Sequence, residues 1–258
     1  MASLNVVAYG GGTNSTAMLI GAVHRKEPVD LILFADTGGE RPKTYRYVNL
    51  FSEWLVRAGY PAIQKVHYVT KEQKRLTLEQ DCLNKGYMPS IAYGFKSCSL
   101  RFKRDPQDKF VNNWKPAQEA WKRGEQVTKW FGFDADEPHR AKRFDDKKYT
   151  CRYPLLEWNW GRQECVDAIA AEGLPLPGKS SCFFCPSMKK KEILALQTCE
   201  PGLLKRALSI EARARPKTRG SVEGLGRRWA WADFLKAEKD QLKLFPDRIE
   251  EPCGCYDG

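Results

Sequence analysis

Long apolar runs are missing from this chain. None of its hydrophobic stretches approaches the roughly 20 residues that a helix needs to cross a bilayer. The N-terminus also lacks the charged, apolar and small-residue regions of a secretory signal and begins a strand instead. These two absences predict a cytoplasmic protein with no membrane partner. Internal repeats and low-complexity linkers are missing too, which argues against a repeat architecture.

The composition is that of an ordinary globular protein. The 258 residues are 42% hydrophobic and 29% charged, enough for one large α/β domain with an elaborated C-terminal part. The formal net charge is +11, from 43 Lys and Arg against 32 Asp and Glu. Such a surplus favours polyanionic partners, either nucleic acid or phosphate-bearing small molecules. A surplus spread over the surface for solubility would give the same number.

Strand and helix patterns alternate over the first 70 residues. Strands are predicted at Asn5–Ala8, Leu31–Ala35 and Lys65–Val69, with helices at Ser15–His24 and Pro42–Arg57. This rhythm is typical of a parallel sheet with helices on its faces. We therefore predict an α/β fold with an open, twisted parallel sheet.

A glycine-rich turn separates the first predicted strand from the first helix. Its residues are Gly10, Gly11, Gly12, Thr13, Asn14 and Ser15. Glycines at this point let the backbone turn tightly, so that its N–H groups can surround an anion at the helix N-terminus. The pattern is neither the dinucleotide GxGxxG nor the Walker GxxxxGK[ST]. A plain strand-to-helix turn is the alternative.

The turn resembles the SGGxDS loop of the phosphoadenosine phosphosulfate (PAPS) reductase-like and PP-loop ATP pyrophosphatase superfamily. Gly11, Gly12 and Ser15 match, whereas Gly10 replaces the first Ser and Asn14 replaces Asp. The resemblance implies a Rossmann-like domain, assigned to residues 1–175, that binds an adenine nucleotide, either ATP or PAPS. In ATP pyrophosphatases the Asp position helps to handle Mg²⁺ and pyrophosphate. An amide is a poorer metal ligand, so the pattern supports nucleotide binding better than ATP cleavage.

A second motif follows the second predicted strand. Residues 34–44 resemble the DTGxEFPET segment of the reductase family, and they begin at the carboxyl end of a strand, where open parallel sheets bind ligands. The resemblance implies that Asp36, Thr37 and Gly38 contact the nucleotide and that Asp36 takes part in catalysis. A generic Asp-Thr-Gly turn is the alternative.

A third motif follows the strand predicted at Thr128–Phe133. Residues 130–143 resemble the family's segment of a strand, a glycine, and a Glu followed by Arg. By this resemblance Gly132 and Glu137 line the nucleotide site. Arg140 and Arg143 would hold phosphate or sulfate with forked hydrogen bonds. A solvated charged turn is the alternative.

Nine cysteines without a secretory signal indicate metal binding or redox chemistry, because the cytosol reduces disulfides. Cys182 and Cys185 lie three positions apart in a Cys-x-x-Cys turn, so both can face one metal. A zinc ribbon would need a second such pair, which the chain lacks. Cys82, Cys165 and Cys199 fall inside apparent helices and are predicted to be core residues.

The segment around Cys98 resembles the Cys-Cys-x-x-Arg-Lys element of iron–sulfur sulfonucleotide reductases, with Ser97 in place of one cysteine. The resemblance implies that Cys98, Cys182 and Cys185 bind a four-iron, four-sulfur cluster, and it leaves the fourth ligand open. Zinc bound by the same three cysteines and one tail cysteine, such as Cys255, is the rival. Residues 176–258 are accordingly predicted to form a cysteine-rich, metal-binding extension of the first domain.

The tail carries a second chemical hypothesis. Cys253 and Cys255 lie in Pro-Cys-Gly-Cys, which is faintly similar to the mobile Cys-Gly tail of the reductases, whose thiol attacks sulfur. Cys253 as a nucleophile and a tail cysteine as a metal ligand are equal alternatives.

These features favour a sulfur-handling enzyme, which would either reduce a sulfonucleotide or use a nucleotide to thiolate a nucleic acid or nucleotide. Such an enzyme implies a reductant or a sulfur-donor protein as partner. The competing hypothesis is a non-catalytic nucleotide- or nucleic-acid-binding module with structural zinc.

Overall fold

A computed structural model describes residues 3–141, 146–218 and 220–244. Their contacts divide the chain into two compact units. The first unit comprises Met1–Asp36, Glu40–Tyr68 and Lys103–Ser180, and the second comprises Thr37–Gly39, Val69–Phe102 and Ser181–Gly258. In the described ranges, no helix combines the length and apolarity that a membrane span requires.

The first unit contains a parallel five-stranded sheet. Its strands are β1 (Asn5–Tyr9), β2 (Leu31–Ala35), β3 (Ile63–Val66), β4 (Val127–Phe131) and β5 (Tyr149–Arg152). They lie in the order β3-β2-β1-β4-β5, and every neighbouring pair is parallel. The predicted α/β class with a parallel sheet is confirmed.

Helices connect the strands and build the second unit. In chain order they are α1 (Thr13–His24), α2 (Pro42–Arg57), α3 (Leu78–Lys85), α4 (Ser97–Ser99), α5 (Asp105–Asn112), α6 (Lys115–Lys122), α7 (Pro154–Glu157), α8 (Arg162–Ala171), α9 (Lys190–Cys199), α10 (Pro201–Ala214) and α11 (Trp231–Leu244).

Alternate residues of the central strands enter two separate hydrophobic clusters. Val7 on β1 and Ile32 on β2 belong to a cluster that includes buried residues of α1, α2 and α8. Val6 and Leu33 belong to a second cluster that includes residues of α5 and α6. Because successive strand residues point to opposite faces, both faces of the sheet are covered by helices. The central strands therefore lie in the core, and their carboxyl ends share one edge.

The second unit has its own buried apolar residues. Phe183 and Phe184 pack edge to face, with ring centroids 4.8 Å apart, and both are buried. Helix α10 contacts α3, α9 and α11 and contributes buried Leu204 and Ile210. In the described part of this unit, buried apolar side chains hold these short helices together.

Candidate nucleotide-binding site

The glycine turn joins the central strand β1 to the N-terminus of α1. Gly11 has φ +73°, a left-handed conformation that favours glycine, and a Cβ there would lie 3.2 Å from the Phe34 ring. The Ser15 hydroxyl accepts from the Gly10 N–H at 3.2 Å and donates to the Gly12 carbonyl at 3.1 Å. Helix α1 has no acidic residue in its first turn and no side-chain cap. The partial positive charge at this helix N-terminus suits an anion.

The end of β4 meets this turn at very short range. A Cβ on Gly132 would lie 3.0 Å from both the backbone nitrogen and the Cα of Ser15. A side chain at position 132 would therefore push the first turn of α1 out of place. Strands β2 and β3 lie on one side of β1, and β4 and β5 lie on the other. The carboxyl end of β1, beside β4, is therefore the topological switch point of the sheet. Open α/β sheets bind their ligands at such a crevice.

Asn14 links the turn to a buried carboxylate. Its side-chain amide nitrogen donates to Asp134 Oδ2 at 2.8 Å, and its oxygen accepts from Arg162 Nη1 at 3.1 Å. Asp134 is only 4% exposed, and its Oδ1 has no hydrogen-bond partner among the described residues. The turn thus lacks the carboxylate of the SGGxDS pattern at position 14 but has one within hydrogen-bonding distance of that side chain.

Sequence reasoning missed Asp134, Arg162 and Ser180. Asp134 follows Gly132 by two residues at the carboxyl end of a strand, and that position was the available signal. The hydroxyl of Ser180 donates to the Gly10 carbonyl across 170 positions, so no local pattern could have found it.

Asp36 and Glu40 are buried carboxylates at the end of β2. Asp36 is 8% exposed, and its Oδ1 accepts from the Tyr45 hydroxyl at 2.6 Å. Glu40 is 4% exposed and lies 3.5 Å from the Lys103 ammonium. Burial raises the pKa of Glu40 above its usual 4.5, and this effect exceeds the opposite effect of Lys103. The end of β2 therefore carries two carboxyl groups that are held away from water, and burial favours the neutral form of Glu40.

The raised pKa of Glu40 predicts a pH-dependent stability. The folded chain keeps this proton at pH values where the unfolded chain has lost it, so stability should fall as the pH rises above about 4.5. Glu40→Gln should remove that part of the fall, because an amide does not titrate. Urea unfolding between pH 4 and 8 would measure the difference. Exposed Glu119→Gln is the control, and parallel pH profiles for wild type and Glu40→Gln would contradict the prediction.

Glu137 and Arg140 bind each other in this structure. Arg140 Nη1 lies 2.5 Å from Glu137 Oε2, and its guanidinium lies over the Phe133 ring, 4.6 Å from the centroid. Both charged side chains are more than 40% exposed, so the pair adds little to stability. A phosphate that uses Arg140 would have to compete with Glu137. Arg143 lies outside the described residues.

The remaining predicted residues belong to the second unit. Gly38 has φ +73°, and a Cβ there would lie 2.3 Å from Thr77 Cγ2, so only glycine fits. Thr37 Oγ1 lies 3.2 Å from Cys182 Sγ. Cys185 donates its backbone N–H to the Cys182 carbonyl at 3.0 Å, which forms the expected tight turn.

Three of the predicted metal ligands, Cys98, Cys182 and Cys185, lie within the described residues. Cys98 lies in α4, and its backbone N–H donates to Ser90 Oγ at 2.8 Å. In the part of the chain that the structure describes, no three His, Cys, Asp or Glu side chains lie close enough together to hold a single metal ion. Cys253 and Cys255 lie outside the described residues.

The helical cysteines fall into two groups. Cys82 and Cys165 are buried, as predicted, with exposures of 5% and 0%. The prediction for Cys199 is wrong, because this residue is exposed in the last turn of α9. Position within a helix did not reveal which face the side chain occupies, because the apolar spacing around Cys199 is weak.

Comparison with known proteins gives a distant relative of similar length. No protein-family model matches the chain. It is 27% identical to the uncharacterized nin region protein ORF290 of Escherichia phage lambda over 274 aligned positions. The alignment covers 93% of this chain and 90% of the phage protein, so the similarity extends over both units.

Proposed function

We propose that this protein is an adenine-nucleotide-binding, sulfur-handling enzyme of the PAPS reductase-like group. The observation that carries the proposal is the position of the glycine turn. It lies at the carboxyl end of central β1, beside β4, with Gly132 packed against Ser15. Asp36 ends β2 at the same edge, because all five strands are parallel. The combination of anion-binding turn and topological switch supports an adenylate ligand.

In this proposal the turn amides and the N-terminus of α1 bind the nucleotide phosphates. Asn14 carries an amide and cannot supply a carboxylate ligand. Asp134 supplies one instead, because the Oδ1 atom of Asp134 is buried without a hydrogen-bond partner among the described residues. Mg²⁺ bound there would neutralise charge that develops on departing pyrophosphate. Asn14 orients the Asp134 carboxylate through their 2.8 Å hydrogen bond, and Arg162 orients Asn14.

The sulfur chemistry is assigned to the cysteines of the second unit. An iron–sulfur cluster on Cys98, Cys182 and Cys185 would supply sulfur or electrons. Iron–sulfur clusters prefer thiolate ligands, and these residues are thiols in the structure rather than disulfides. The net charge of +11 favours thiolation of a nucleic acid over reduction of a small sulfonucleotide.

Product release tests the proposal directly. Anaerobically purified protein would be incubated with Mg²⁺ and ATP, with or without nucleic acid, and separately with PAPS and a thiol reductant. We expect pyrophosphate from ATP if thiolation is the reaction, and sulfite from PAPS if reduction is the reaction. If neither product forms and neither nucleotide binds, the proposal fails.

Asp134→Asn separates metal handling from nucleotide binding. We expect this variant to release pyrophosphate at least tenfold more slowly, a change of about 1.4 kcal/mol in the barrier, because an amide is a poor ligand for Mg²⁺. Its affinity for ATP without Mg²⁺ should stay near that of wild type. Exposed Asp167→Asn in α8 is the matched control. Equal rates in Asp134→Asn and wild type would exclude the proposed role of this carboxylate.

A non-catalytic binding module is the second candidate. Asn14 favours it, because an amide stands where the resembling enzymes carry a carboxylate. Tight ATP binding without any product, together with bound zinc and no iron, would establish this function in place of the first.

A further inference from the structure

Helix α3 of the second unit and the turn that follows it border an apolar cavity of about 470 Å³. This volume lies within the range of roughly 300 to 1,000 Å³ that small-ligand sites occupy. Aromatic rings line this first cavity: Tyr87 and Phe95 are 50% and 68% exposed, and Tyr93 is half-buried. A cavity walled by partly exposed rings offers flat apolar surfaces on which another planar ring can stack.

Hydrogen bonds hold the backbone that carries these rings. The Phe95 N–H donates to the Ser90 carbonyl at 3.0 Å, and Ser90 Oγ accepts from the Cys98 N–H at 2.8 Å. The Met88 N–H donates to the Tyr93 hydroxyl at 3.4 Å. Because the turn is already ordered, less conformational freedom is lost when a ligand binds beside the rings.

A second cavity adjoins the first. Its lining includes Arg227, Arg228 and Trp229 of the segment before α11, and Tyr93 lines both cavities. Among the described residues that line the second cavity there is no Asp or Glu. Both arginines are exposed. Two guanidinium groups without a carboxylate in the same lining suit a phosphate, with which arginine forms paired hydrogen bonds.

Positive side chains also lie at the first cavity. Lys85 and Arg101 line it, and both pair with Asp81, at 2.9 and 2.8 Å. The Lys217 ammonium lies 5.7 Å from the centroid of the Tyr87 ring and donates to the Lys85 carbonyl at 3.0 Å. Three cations thus face one carboxylate here, and the surplus of positive charge continues into the second cavity.

A nucleotide of a single-stranded nucleic acid has the two chemical parts that these cavities suit. Its base is a planar ring that stacks on aromatic side chains, and its phosphate is an anion. The bases of a duplex are stacked on one another and enter a cavity only when they are extruded. An acidic peptide would pair with the arginines but would give Tyr87 and Phe95 no planar partner. The rings and cations together therefore favour a single strand.

We propose that the two cavities form a binding site for single-stranded nucleic acid. The first cavity takes an unpaired base, and Arg227 and Arg228 bind a neighbouring phosphate. The site lies wholly within the second unit. The choice of a nucleic acid rests on the proposed function, which this assignment deepens by naming an unpaired nucleotide as the substrate class. Cys98 lines the first cavity, so a base held there lies beside a thiol to which the proposed function assigns sulfur chemistry.

Fluorescence anisotropy with a fluorescein-labelled oligonucleotide tests the site. The probe is a mixed-sequence single strand of about 20 nucleotides, longer than the roughly 4 to 16 that one single-strand site covers. ATP, PAPS and iron are left out, so binding is measured apart from catalysis. We expect the single strand to bind at least tenfold more tightly than its duplex. Equal affinity for the two forms, no binding of the single strand at low salt, or equal displacement of the probe by polyglutamate would refute the proposal.

Phe95→Ala and Arg228→Gln separate stacking from charge. Phe95→Ala should weaken binding at least fivefold and leave its salt dependence unchanged, because it removes an aromatic surface but no charge. Arg228→Gln should reduce the magnitude of the slope of log affinity against log salt by about 0.7, the value for one phosphate contact on a single strand.

The controls for these variants lie in the first unit. Leu176→Ala removes an exposed apolar side chain, and Arg57→Gln removes an exposed arginine. If Phe95→Ala binds like Leu176→Ala, or if Arg228→Gln keeps the salt slope of Arg57→Gln, these cavities are not the binding site.

Photocrosslinking uses the wild-type chain and so does not depend on the folding of a variant. A single strand that contains 5-iodouracil is irradiated with the protein, and mass spectrometry identifies the crosslinked peptides. We expect crosslinks within 87–95 or 227–229, and crosslinks confined to the first unit would overturn the assignment. Crosslinks at these residues without any reaction product would support the site and count against the enzyme. Sulfite release from PAPS without such crosslinks would do the reverse.

Discussion

Gly132→Ala is expected to weaken ATP binding at least tenfold, or about 1.4 kcal/mol. The new Cβ would lie 3.0 Å from the backbone nitrogen and Cα of Ser15 and 3.1 Å from the Asn14 carbonyl carbon. Backbone atoms cannot rotate away as a flexible side chain can, so the first turn of α1 must shift. The N–H groups that we assign to the phosphates shift with it. Isothermal titration calorimetry with ATP measures the effect.

Gly202→Ala is the matched control for this experiment. Gly202 lies in the first turn of α10, and no atom lies within 4 Å of a Cβ added there. Alanine is also the better helix former, by up to about 1 kcal/mol. ATP binding should be unchanged in this variant. If Gly132→Ala melts like wild type and binds ATP equally well, the turn beside β4 is not the phosphate site.

Glu211→Ala should destabilise the second unit by about 3 to 5 kcal/mol. This buried carboxylate, 1% exposed, accepts hydrogen bonds from the backbone N–H groups of Leu225, Trp231 and Ala232 at 2.7 to 2.9 Å. Truncation leaves the N–H groups of Leu225 and Trp231 buried without an acceptor. Chemical unfolding, followed by tryptophan fluorescence and by circular dichroism, reports the loss of free energy.

Two further variants define the origin of that loss. Glu223→Ala removes an exposed carboxylate from the same segment and should change stability by no more than about 0.5 kcal/mol. Glu211→Gln keeps the shape of the side chain but only one acceptor oxygen, so it should fall between wild type and alanine. A near-neutral Glu211→Ala would mean that the segment at 225–232 is held by apolar packing alone.

The strong apolar runs made the centre of the sheet predictable. The second strand was predicted at Leu31–Ala35, its observed bounds, and the first differs only by including Tyr9. The third strand was placed two residues too late: it spans Ile63–Val66 and so overlaps the predicted strand only at Lys65 and Val66. Val69 instead forms an isolated bridge with Arg75. Residues that lie fully inside a parallel sheet leave a continuous apolar signal, whereas shorter outer strands do not.

Other elements gave no usable signal. Strand β5, Tyr149–Arg152, is a four-residue outer strand with one buried residue, so it lacks a recognisable pattern. No helix was predicted at Pro201–Ala214, where the structure has α10. The basic residues near its end, Arg213 and Arg215, make specific contacts with the Leu83 carbonyl and with Asp233, which the sequence does not reveal.

The candidate site could be predicted where its residues are close together in the sequence. The glycine turn and the residues at the strand ends could be identified because each follows an apolar run directly. The contact between Asn14 and Asp134 spans 120 positions, and the cavity that Cys82 and Cys98 both line depends on the placement of α3. Tertiary folding creates such juxtapositions, and no periodicity in the chain encodes them.

The strand order also bears on how the molecule matures. The first three strands build one half of the sheet, and β4 then crosses to the free side of β1. A nascent chain shorter than about 130 residues therefore cannot form the crevice, however well its glycine turn is made. A ligand that binds the crevice stabilises only chains in which β4 has paired with β1. The stabilisation free energy grows with the logarithm of the ratio of ligand concentration to dissociation constant. Such a ligand would thus favour the finished sheet over its N-terminal half.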